Sequence, residues 1–122
     1  MSELGSFEDA WRERFAQAGR DREELAREAR ARLEPMCARL VQRYGVRRIW
    51  LFGSLAEGAF REGSDIDLAV EGLPGGSALF RAGVELEEIA CPFPVDLVPL
   101  EEARPSLREK VLSRGTLLHD RS

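Results

Sequence analysis

The chain has 122 residues, 43% hydrophobic and 33% charged, enough for one domain with a buried core and too few for two. Eighteen basic against 22 acidic side chains leave a net charge of −4, which argues against bulk, sequence-blind binding of nucleic acid. No apolar run approaches the about 18 residues of a membrane span, and Cys37, Cys91 and the lone His119 offer no zinc set.

The N-terminal MSELGSFEDAWRERF lacks the basic and apolar parts of a secretory signal, so a cytoplasmic protein with reduced thiols is expected. Phe7, Trp11, Phe15 and Ala18 recur at helical spacing and predict an amphipathic helix ended by Gly19, its aromatic stripe packed as core. Asp21 then suits an N-cap, with Glu24 at the capping-box position. Leu25, Ala29, Leu33, Met36, Leu40 and Tyr44 form one stripe of a second helix, kinked or restarted at Pro35 and stopped by Gly45. Arg-rich positions between Arg20 and Arg32 read as a solvated helix face, with docking to an acidic partner as the alternative.

Residues 46–52 (VRRIWLF) are rich in β-branched and aromatic types and predict a first strand, with Trp50 and Phe52 on one face and Ile49 and Leu51 on the other. Gly53-Ser54 ends it, and a short helix is expected over 55–59. A second strand is predicted over 66–70, a helix over 79–90 closed by Pro92 and Pro94, and a third strand over 95–100. A helix over 101–113 and a short last strand over 116–119 complete the order. Cys37 and Cys91 read as core and His119 as surface. The pattern predicts an α/β (α+β) fold: a small mixed sheet of three to four strands covered by helices.

Strands 2 and 3 are apolar enough to be buried, yet both carry acid. Asp65 and Asp67 are two residues apart and share a face in an extended chain, while Ile66 points to the other. Asp96 stands alone between Val95 and Leu97. An unpaired buried carboxylate costs several kcal/mol or titrates to neutrality, and the nearest cation in sequence, Arg61, is one charge for three acids. Divalent cations resolve the conflict better, and three carboxylates without His or Cys select Mg2+, with Mn2+ as the alternative. One Asp at a strand end is ordinarily a turn or cap residue. Gly-Ser followed ten residues later by Asp-x-Asp, however, arises by chance in roughly one chain per thousand of this length. A Gly lets backbone N–H groups approach a phosphate, the Ser hydroxyl adds a donor, and the helix starting there would direct its positive end at the anion.

These residues resemble the DNA polymerase β-like nucleotidyltransferase superfamily: Gly53-Ser54, then Asp65-Ile66-Asp67, then Asp96 in a later strand. The length resembles the minimal nucleotidyltransferase (MNT) domains, many of them antitoxins paired with HEPN-domain toxins. The resemblance implies a helical extension over 1–34 and a nucleotidyltransferase domain over 35–122, together one structural unit. It implies that Gly53 and Ser54 hold the β- and γ-phosphates of ATP. Asp65, Asp67 and Asp96 would ligate two Mg2+ ions, with Asp96 on the metal that activates the attacking hydroxyl. Relatives often carry Arg two and four positions after the Gly, where this chain has Leu55 and Glu57; only Arg61 matches a later basic position, as a phosphate contact or a solvated loop residue. The implied activity is transfer of AMP to a hydroxyl, a Tyr of a HEPN toxin encoded nearby. The alternatives are a non-catalytic antitoxin that neutralises its partner by contact with a degenerate nucleotide site, and transfer to RNA or a small molecule. Gly53-Ser54 and Asp65 meet only if strands 1 and 2 run antiparallel, and strand 3, after a helical crossover, can lie parallel to strand 2 with Asp96 beside Asp67.

Overall fold

The computed structural model describes residues 3–121. Helix α1 (Glu3–Arg30) leads into α2 (Leu33–Tyr44), strand β1 (Arg48–Phe52), the single turn α3 (Gly53–Ala56) and β2 (Ile66–Glu71). Helix α4 (Ser77–Ala90), β3 (Val95–Pro99), a 3-10 turn (Leu100–Glu102), α5 (Pro105–Arg114) and β4 (Thr116–Asp120) follow. The four strands lie in the order β3-β2-β1-β4. Both pairings of β1 are antiparallel, and β2 runs parallel to β3, in keeping with the expected geometry.

The two sheet faces divide the side chains of β1 as their alternation predicts. Ile49 and Leu51 join Ile66, Leu68 and Val70 in a core capped by Met36 and Leu40 of α2 and by Ala82, Leu86 and Ala90 of α4. Trp50 and Phe52 pack on the opposite face with Ala69, Leu100 and Val111, under the 3-10 turn and α5. Between α2 and α4, Glu85 accepts hydrogen bonds from the Tyr44 hydroxyl and Arg43, and Arg39 lies 3.3 Å away. Gly45, at φ 68°, ends α2: its N–H donates to the Val41 carbonyl, and the Val46 N–H donates to Leu40.

The N-terminal third departs from expectation. No helix ends at Gly19; α1 runs unbroken through it, and Asp21 is not a cap but accepts a hydrogen bond from Gln17 Nε2 at 2.8 Å. One exposed Gly costs about 1 kcal/mol, and the Arg, Glu and Ala on both sides outweigh it. The break falls instead at residues 31–32, and Pro35 sits in the first turn of α2, where its missing N–H is no loss. The aromatic stripe is not core: Phe7, Trp11 and Phe15 are 60%, 44% and 70% exposed, with Trp11 edge-on to Phe7, stacked on Phe15 and facing the Arg14 guanidinium. Cys91 is exposed, whereas Cys37 is half-buried, and burial pushes its thiol up to about 11. His119 is half-buried rather than surface.

Candidate active site

The three aspartates are carried to one end of β2. Asp67 lies opposite Phe52 across β1 and opposite Asp96 across β3. Register partners in neighbouring strands share a face, so Asp67 and Asp96 stand on the face that Trp50, Phe52 and Ala69 occupy further along. Asp65 precedes the strand by one residue and shares the side of Asp67 by the two-residue repeat. Burial pushes Asp67 up to about 6 from the usual carboxylate range, and the charges of Asp96 and then Asp65 push the same way. Lys110 on α5 opposes them.

The burial expected of all three acids applies only in part. Asp65 and Asp96 are exposed and Asp67 is half-buried, so the sheet holds its charges at the strand ends. Lys110, the chain's only Lys, gave no signal in the sequence; its place near Asp67 follows from α5 folding back over the sheet.

Gly53 brings the first motif against the second. Its φ is +74°, and a Cβ there would lie 2.1 Å from Oδ2 of Asp67, so only glycine allows this approach. The helix that follows is four residues long, too short for the dipole expected of it; anion binding here rests on N–H groups and the Ser54 hydroxyl. Ser54 itself lines a cleft of about 1000 Å3 between α1 and the loop over residues 57–64, together with Arg61. None of the three aspartates lines that cleft. Arg61 is exposed, in a tight turn closed by its own N–H donating to Ser64 Oγ at 3.1 Å.

Among the described residues, no three His, Cys, Asp or Glu side chains form a ready-made metal cluster. The donor set nonetheless suits a hard divalent cation. It is all carboxylate oxygen, and the repulsion felt by Asp67 is what a cation would relieve.

A sheet of this topology, with an acid pair in register against a Gly-Ser turn, defines a nucleotidyltransferase architecture. Residues 36–122 match the family model described as polymerase β, nucleotidyltransferase, and the chain belongs to that family. A protein of Methanocaldococcus jannaschii, named provisionally a protein adenylyltransferase, is 36% identical over 78 residues, 62% of this chain and 83% of the relative. A solved structure assigned provisionally as a minimal nucleotidyltransferase aligns with a TM-score of 0.62 at 37% identity, covering 80% of this chain and 96% of that one. The crystal structure of a toxin–antitoxin complex with AMP-PNP gives a TM-score of 0.62 at 30% identity, covering 71% and 73%. No helix among the described residues is long and apolar enough to cross a membrane.

Proposed function

We propose that the chain transfers AMP from ATP to a hydroxyl, a Tyr side chain of a HEPN toxin, and so acts as its antitoxin. The observation that carries this reading is the in-register pair Asp67 and Asp96, joined by Asp65, against Gly53. Similarity to a toxin–antitoxin complex holding AMP-PNP and to a relative named an adenylyltransferase supports the donor and the partner class.

Gly53 and Ser54 hold the β- and γ-phosphates through backbone N–H groups and the Ser hydroxyl. Asp65, Asp67 and Asp96 would hold two Mg2+ ions, whose positive charge stabilises the entering and leaving oxygens. Asp96 lies on an edge strand and is exposed, so an acceptor on another protein can reach it. The acceptor oxygen attacks the α-phosphorus, and the bond from that phosphorus to the bridging oxygen of the β-phosphate breaks. Pyrophosphate leaves, and the hydroxyl proton passes to a carboxylate oxygen of Asp96.

A contact mechanism is the second reading, favoured by the exposed stripe of Phe7, Trp11 and Phe15. Incubation with the toxin, Mg2+ and ATP labelled at the α-phosphate separates the two. Label is expected on the toxin with the wild type and to fall at least about 100-fold with Asp67→Asn. Neutralisation that survives Asp67→Asn with no label on the toxin would establish contact instead.

A further inference from the structure

The cleft beside Ser54 is cationic in an acidic protein. Arg22, Arg27 and Arg30 from α1 and Arg61 from the facing loop line it, with Ser64 and a single acid, Glu23. Arg30 is spent on structure: its Nη2 donates to the Leu55 carbonyl at 2.9 Å and pins α1 to the turn after β1. Among the described residues, no ion pair or side-chain hydrogen bond engages the guanidinium groups of Arg22, Arg27 or Arg61. Glu23 is one acid against these cations, so the cleft keeps a net positive charge that an anion between them would relieve. At about 1000 Å3 the cleft is at the upper end of the range for small-molecule sites.

We infer that this cleft binds the distal phosphates of the nucleotide, with Arg22 and Arg27 of α1 supplying cations that the Gly-Ser turn lacks. The inference rests on the transferase reading for its ligand and extends the site to residues outside the family match. Gly53 stands against Asp67, and Ser54, one residue on, lines the cleft. A triphosphate reacting at the acidic end is repelled by the same acids along its tail, and the cleft is where that tail meets positive charge. The turn supplies neutral N–H and hydroxyl donors but no cation, because Leu55 is buried and apolar and Glu57 is an acid. A planar guanidinium fork matches phosphate oxygens in pairs, which suits the three arginines, Arg22, Arg27 and Arg61, left beside the Arg30 anchor.

Inorganic triphosphate titrated into the full chain is the test, with Mg2+-ATP in parallel. R22Q/R27Q leaves two exposed helix positions with good helix formers and spares the Arg30 anchor, so the fold is retained. It is expected to weaken both ligands about tenfold, while R22K/R27K recovers part of the loss. A wild type that does not bind triphosphate, or a double variant that binds both ligands as tightly as the wild type, overturns the cleft. Arg-dependent triphosphate binding in a protein that transfers no AMP would leave the cleft standing and remove the transferase reading instead.

Discussion

Asp67 meets opposing demands from its neighbours. It is half-buried, has Asp96 across the ladder and Asp65 two residues back, and is held at about 6 against an ordinary 3.8. The folded protein without metal therefore binds more protons than the unfolded chain between those values. The contribution of Asp67 to stability is fully present below about 4 and is lost as pH rises through about 6. Half exposure screens this effect, leaving about 1 kcal/mol. Urea denaturation without divalent cations is therefore expected to find Asp67→Asn about 1 kcal/mol more stable than wild type at pH 8, and equal to it below pH 4. Equal stability at both pH values would show that neither burial nor the neighbouring carboxylates destabilise the Asp67 anion. Such strain at a working site is a cost accepted for function.

At the scale of elements, the turn from α5 into β4 has no room for a side chain. A Cβ on Gly115 would fall 2.4 Å from the Val111 carbonyl oxygen and 3.1 Å from that of Leu51, both backbone atoms that cannot swing aside. Gly115→Ala should destabilise the domain by about 1–3 kcal/mol in the same denaturation measurement, whereas Gly19→Ala, in open space on α1, should not. Strand alternation, the two turn glycines and the acid spacing were all legible in the sequence, because burial on two faces of a sheet writes itself at a period of two. The end of the first helix was not. Gly19 and Asp21 carry local stop and cap chemistry, and only the length of uninterrupted helix formers decides against them. The burial of the acids was overestimated for a related reason: apolar runs reveal a strand, not how near its end a residue sits. Of the arginine cleft only Arg61 was legible; the part played by Arg22 and Arg27 depends on the angle at which α1 meets the turn after β1, a matter of tertiary packing.

At the scale of the molecule, the fold separates three tasks. The sheet end carries the acids, the base of α1 and the facing loop carry the cations, and the first turns of α1 present Phe7, Trp11 and Phe15 to solvent. An exposed aromatic stripe on a helix that its own domain leaves uncovered suits a surface that meets another protein. That arrangement suits the proposed transferase, whose acceptor is carried by a partner protein. In the proposed transferase, Asp67 and Asp96 act as one chemical unit. Rates of AMP transfer to the partner by the wild type, Asp67→Asn, Asp96→Asn and the double variant test that most directly. Groups acting as a unit give strongly non-additive losses: each single variant should lose nearly as much as the double, at least about 100-fold. Losses that multiply independently, or a double variant that still transfers AMP at the wild-type rate, would contradict it.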